Sequence, residues 1–167
     1  MTDHAFHIYG RDRPGRFLVT CDHASNRVPP WVGGGALGIA PDDMARHIAW
    51  DVGAAGVSVR LAERLDSPCI LSDFSRLVID PNRGEEDPTL VMRLYDGTII
   101  PANRHVGPAE IEERLARLYR PYHAALSGLI EEARAAHGFA ILVDWHSMPA
   151  AAARAAGRER PIWPRSR

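Results

Sequence analysis

Phe17-Leu18-Val19-Thr20-Cys21-Asp22-His23-Ala24-Ser25-Asn26 decides the fold. A short apolar run closes abruptly in a polar cluster with an imidazole in it. Two other stretches repeat the pattern, Phe74-Ser75-Arg76-Leu77-Val78-Ile79-Asp80-Pro81-Asn82-Arg83 and Phe139-Ala140-Ile141-Leu142-Val143-Asp144-Trp145-His146-Ser147-Met148-Pro149. Apolar runs of this length, apolar on both faces, read as buried strands of a mostly parallel sheet. In open α/β sheets ligands bind beyond the carboxyl ends of the strands. The expectation is therefore a layered α/β domain, with two His, several Asp and two Arg gathered into one crevice. That mixture suits a borderline-soft metal ion and an anionic substrate.

Between these runs the spacing predicts strands over 17–21, Cys69-Ile70-Leu71, Leu77-Val78-Ile79 and 139–143. One helix is expected from Pro41-Asp42-Asp43 to about Leu65, where Gly53 and Gly56 permit close packing on the sheet. A second is expected over 108–136, with Ile111, Leu115, Leu118, Tyr122, Leu126 and Leu129 on one face. Residues 1–16 and 27–41 read as loops, the latter long and mobile. Residues 81–107 read as a loop excursion with a short hairpin at Asp96-Gly97. Residues 1–149 form one domain on this reading, and the Ala/Arg-rich segment 150–167 is a tail, a surface helix fragment or disordered.

Composition narrows the function classes. The 167 residues are 46% hydrophobic and 25% charged with a formal net charge of −1, so nothing electrostatic points to nucleic acid or an anionic membrane. Every basic residue among the 20 Lys+Arg is Arg, which excludes a lysine Schiff base or a P-loop lysine. No run reaches the roughly 20 apolar residues of a membrane span. The first residues lack the basic start and apolar stretch of a signal peptide. Cys21 and Cys69 lie in strand-like runs and read as buried free thiols, which fits a cytoplasmic protein.

His23 and His146 each follow a strand and are candidate metal ligands; either alone reads more readily as a hydrogen-bonded edge histidine, and only the pair brings the two readings level. A zinc site needs a third protein ligand. Asp51, amid apolar helical neighbours, is the choice, against an ordinary solvent-facing helix residue. Asn26 is a weaker alternative, because an amide is a poor zinc ligand. Asp22 and Asp144 neighbour the two histidines and would orient ligands from behind. Arg76, Asn82 and Arg83 could clamp a carboxylate, unless either Arg is a surface ion pair. Ser75 lacks a nucleophile elbow, Cys21 sits in an apolar position, Asn103-Arg104-His105 is a weaker cluster, and His123 reads as a packed helix residue.

These clusters, together with Trp50-Asp51-Val52-Gly53-Ala54 and Tyr119-Arg120-Pro121-Tyr122-His123, resemble the N-formylglutamate amidohydrolase family over about residues 15–149. The resemblance implies a phosphorylase/hydrolase-like fold of zinc-exopeptidase type, related to zinc carboxypeptidases and aspartoacylase-like deacylases. It implies zinc, or another divalent metal, on His23, Asp51 and His146. It places substrate on Asn82, Arg83 and Ser147, and catalytic roles on Arg76 and Asp144. The implied reaction is hydrolysis of N-formyl-L-glutamate, or a related small N-acyl acidic amino acid, at the end of a route of histidine breakdown. The family normally continues past the His-Ser segment, so this sequence is expected to be a C-terminally truncated member with an incomplete fold, lacking a downstream general base. The alternative is a catalytically weak remnant that binds a small carboxylate or metal; a Ser or Cys hydrolase is a third reading.

Overall fold

The computed structural model describes residues 4–148; the expected tail, 150–167, lies outside them. Among the described residues four strands form the main sheet: β1 (Phe6–Tyr9), β2 (Phe17–Cys21), β3 (Cys69–Ser72) and β6 (Ile141–Asp144). Their order is β1-β3-β2-β6, with β2 parallel to both β3 and β6 and β1 antiparallel to β3. A two-residue ribbon, β4 (Leu94–Tyr95) with β5 (Thr98–Ile99), stands apart. Its Asp96-Gly97 turn has positive φ at both residues, 46° and 79°, as a tight hairpin requires.

The helices are α1 (Pro41–Met44), α2 (Ala54–Arg64), α3 (Pro108–Arg114) and α4 (Arg120–His137), with a π turn over Leu115–Tyr119 joining the last two. The small residues Ala54, Ser58 and Ala62 of α2 are buried, and the two alanines pack with Val19, Cys21 and Leu71 on one face of the sheet. Leu118, Tyr122 and Leu129 meet Leu18, Ile70 and Phe74 in the core of the other face. The result is a helix–sheet–helix sandwich of mixed α/β type.

Several expectations need correction. The single helix over 41–65 is two helices. Gly53 has φ 81° at the start of α2, a conformation that glycine adopts without a Cβ penalty, and the chain breaks there. A Cβ at Gly53 or Gly56 would meet nothing within 4 Å, so neither serves close packing. Leu77-Val78-Ile79 is buried but not a strand. Its carbonyls accept hydrogen bonds from side chains instead, Leu77 from Asn103 and Val78 from Arg114. β1 lies inside the expected N-terminal loop. The 27–41 segment sends Val32 and Leu37 into the core.

Candidate metal and substrate site

The parallel pairing of β2 with β6 puts Thr20 opposite Asp144, and the Thr20 hydroxyl donates to Asp144 Oδ1 at 2.9 Å. The chain leaving each carboxyl end then carries a histidine into the same space. The ring centroids of His23 and His146 are 5.1 Å apart. Asp51 joins them from the turn before α2, its N–H bonded to the His23 carbonyl at 2.9 Å. It is 3% exposed, which removes the solvent-facing helix reading of that residue. Asp51 Oδ2 faces His146 Nδ1 at 2.9 Å and His23 Nδ1 at 3.6 Å. Ligand atoms of His23, Asp51 and His146 lie within 4.8 Å of one another, so these three could hold a metal ion.

The donor chemistry fits a divalent ion. Both histidines turn Nδ1 toward the shared carboxylate, and both have Nε2 held from behind by a second one. His23 Nε2 is 2.7 Å from Asp80 Oδ1, and His146 Nε2 is 2.7 Å from Asp144 Oδ2. Carboxylate–histidine–metal relays of this form fix ring orientation and raise ligand basicity. Two imidazole nitrogens and one carboxylate are a set that zinc accepts while keeping a position open. Asn26 is elsewhere engaged, its amide donating to the Met44 carbonyl. A second group, Asp22 with Asp144 and His146, also has metal-ligand spacing. Asp22, however, accepts from the Tyr122 hydroxyl, and burial raises its pKa, which suits a cation less well.

Charge is strongly coupled here. Burial opposes ionisation of Asp51, yet the bond from His146 and the nearby His23 ring hold its carboxyl well below the ordinary range. His146 is pushed up to about 10 by its bonds to Asp144 and then Asp51. Burial favours neutral His23, but Asp51 and Asp80 outweigh it and raise its pKa. Asp80 is fully buried and lowered: its burial is more than offset by His23, Arg76 and the Asn82 N–H.

A cleft of about 600 Å³ opens over this cluster, and Arg76, Asn82 and Ser147 line it. Arg83 does not; its guanidinium lies 3.8 Å from Asp80 and 3.7 Å from Asp87. Sequence reasoning missed three lining residues, His47, Tyr95 and Asp96. The hairpin carries Tyr95 and Asp96 over the cleft, where Arg46 bonds Asp96 at 3.0 Å and His47 approaches it at 3.5 Å. The hairpin itself was legible; that it folds over the strand ends was not. The aromatic motif at 119–123 braces the Pro81-Asn82-Arg83 turn. Tyr119 donates to the Arg83 carbonyl at 2.6 Å and His123 Nε2 contacts the Pro81 carbonyl at 3.1 Å.

The other nucleophile candidates are silent. The Ser75 hydroxyl donates to the Ala49 carbonyl. Burial pushes the Cys21 thiol up to about 12. Asn103 is structural, its side chain bonding Leu77, Met92 and Arg114.

Residues 15–164 match the family model for N-formylglutamate amidohydrolase. The chain belongs to that family. Among curated proteins it is similar to the N-formylglutamate deformylase of Pseudomonas aeruginosa, 28% identical over 78% of this chain and 51% of that protein. The deformylase of Pseudomonas putida is 31% identical over 52% of this chain and 36% of that protein. The chain thus spans about half or less of the curated relatives it matches. A crystal structure of an Agrobacterium tumefaciens gene product superposes with a TM-score of 0.81 at 34% identity, covering 87% of this chain and 57% of that one. The N-formylglutamate amidohydrolase of Ralstonia eutropha shares the fold, with a TM-score of 0.78 at 24% identity over 95% of this chain and 63% of that one. Among the described residues no helix is long and apolar enough to cross a membrane.

Proposed function

We propose that this amidohydrolase-family chain acts as a metal-dependent hydrolase on N-formyl-L-glutamate or a related small N-acyl acidic amino acid, giving formate, or the corresponding acid, and the amino acid. One observation carries the reading: two imidazoles, each held from behind by its own carboxylate, face a shared buried Asp51 at the floor of a cleft with a guanidinium in its wall. The family match and the deformylase relatives support the substrate class. The zinc-exopeptidase kinship, a cytoplasmic setting and a place in histidine breakdown belong to the same reading.

His23, Asp51 and His146 would hold the ion. When bound, a divalent metal polarises an amide carbonyl and lowers the pKa of a bound water toward about 7. The remaining work falls to the chain. Asp80 and Asp144 keep the two rings in the ligating orientation. Arg76, in the cleft wall, offers positive charge to a substrate carboxylate or to the oxyanion as it develops. Asn82 and Ser147 line the same cleft and orient a carboxylate-bearing substrate, and Arg83 adds positive charge on the Asn82 turn. The metal-backed hydrolase predicts formate release from N-formylglutamate that stops with chelator and returns with zinc. His23→Ala and His146→Ala should both lose metal with the fold retained. Turnover indifferent to chelator would overturn the reading.

A further inference from the structure

His23 has one nitrogen left for a ligand. Nε2 is committed to Asp80, so Nδ1 carries the only ring lone pair facing the cleft. Arg76 Nη1 lies 3.2 Å from that nitrogen and 3.8 Å from Asp51 Oδ1. Arginine has donors only, so as a hydrogen bond this contact takes the Nδ1 lone pair of the ring form that carries its proton on Nε2, toward Asp80. Arg76 Nη2 is anchored to Asp80 at 2.9 Å, and the guanidinium carbon sits 5.3 Å from the Tyr95 ring centroid. Its Nε is buried and makes no hydrogen bond. The guanidinium is thus held on two sides and spends one donor on an atom that a metal would claim.

We propose that Arg76 is a built-in competitor for the metal seat, its Nη1–H and a divalent cation contending for the same lone pair of His23. This rests on the metal-dependent reading above. Metal entry requires the guanidinium to leave His23 Nδ1 and swing, still held at Asp80, into the cleft that Asn82 also lines. Two cations crowded on one carboxylate, Asp51, also repel. A dicarboxylate in the cleft pulls the guanidinium the same way. Metal and acidic substrate therefore assist each other's binding, and such coupling is reciprocal. The arginine that grips the acid also sets how tightly the ion is held.

Zinc affinity measured by competition with a chromophoric chelator tests this, with and without glutarate as the dicarboxylate probe. Wild type should bind zinc more tightly when glutarate is present. Arg76→Met should bind zinc on the order of tenfold tighter than wild type, within the usual span of coupling between sites, and should lose the glutarate effect. Equal or weaker zinc binding by folded Arg76→Met overturns the proposal. If that variant fails to fold by circular dichroism, Tyr95→Ala, which frees one side of the guanidinium, should tighten zinc several-fold, and no change overturns the proposal. His23→Ala separates the two ideas. Zinc binding that survives it removes the seat, and the metal reading falls. Zinc lost in His23→Ala but not gained in Arg76→Met leaves the metal reading standing and sinks the competition alone.

Discussion

β2 and β6 run parallel, pair residue for residue, and both lead to a histidine of the site, yet they differ in nearly every other respect. Residues 18–21 of β2 are buried, and His23 beyond them is 1% exposed. β6 is an edge strand among the described residues, with Ile141 38% and Leu142 49% exposed. Behind His23 stands Asp80, fully buried and itself bonded to Arg76 and the Asn82 N–H. Behind His146 stands Asp144, about one-third exposed and bonded to Thr20. One half of the site is built into the core; the other is hung on the rim. The same chemical relay can therefore be a stability element on one side and nearly independent of stability on the other.

The sharpest way to break that contrast is to remove the two backing carboxylates in turn. Asp80→Ala strands Arg76 and His23 in a buried place and should cost about 3–5 kcal/mol in urea unfolding. Asp144→Ala should cost about 1 kcal/mol or less. Equal costs would mean that the two halves are not distinct.

The strands themselves give the next test. Leu18→Ala empties a fully buried position and should cost about 2–5 kcal/mol. Leu142→Ala should fall within about 0.5 kcal/mol. Both are read from the same denaturation curves.

Metal binding should erase the asymmetry. Asp80→Asn and Asp144→Asn each disturb one relay, and each should weaken zinc binding by about 10–100-fold in a chelator competition. A loss for one alone would show that only one histidine ligates.

The smallest effect concerns the core side by itself. Burial pushes the Cys21 and Cys69 thiols up to about 12. A raised thiol pKa means protonated sulfur below it, so at pH 8 neither should react with iodoacetamide until denaturant is added. Mass spectrometry of the native protein reads this directly, and a labelled Cys21 would show β2 opening as readily as an edge.

How much of the fold and site was legible depends on where the information sits along the chain. β2, β3 and β6 announce themselves because each apolar run is local and ends in a polar cluster. The placement of His23 beside His146 comes from parallel pairing alone. Asp51 stood out as an acid among apolar neighbours, although the chain presents it from a turn rather than a helix. Leu77-Val78-Ile79 misled because burial and strand character look alike in sequence; Asn103 and Arg114, 26 and 36 residues away, take the carbonyls a neighbouring strand would have taken. Asp80 sits in the quoted 74–83 stretch with nothing local to tie it to His23, and only the fold reveals it as the group behind that ring. Tyr95, Asp96 and His47 reach the cleft through a hairpin whose docking no local pattern encodes.

The π turn at Leu115–Tyr119 has a consequence for how this region tolerates change in length. A regular helix advances about 100° per residue, and a π turn absorbs an additional residue while the helix beyond it stays regular. Tyr119, the last residue of that turn, bonds the Arg83 carbonyl and Tyr122 beyond it bonds Asp22, while Arg114 before the turn reaches Asn103. Deleting a single residue there would straighten the rod and reclock its two ends against each other. Either the tyrosines or the buried arginine would then point the wrong way. Deletion scanning should therefore find a sharp intolerance across a turn that supplies no metal ligand but keeps two distant anchors in phase.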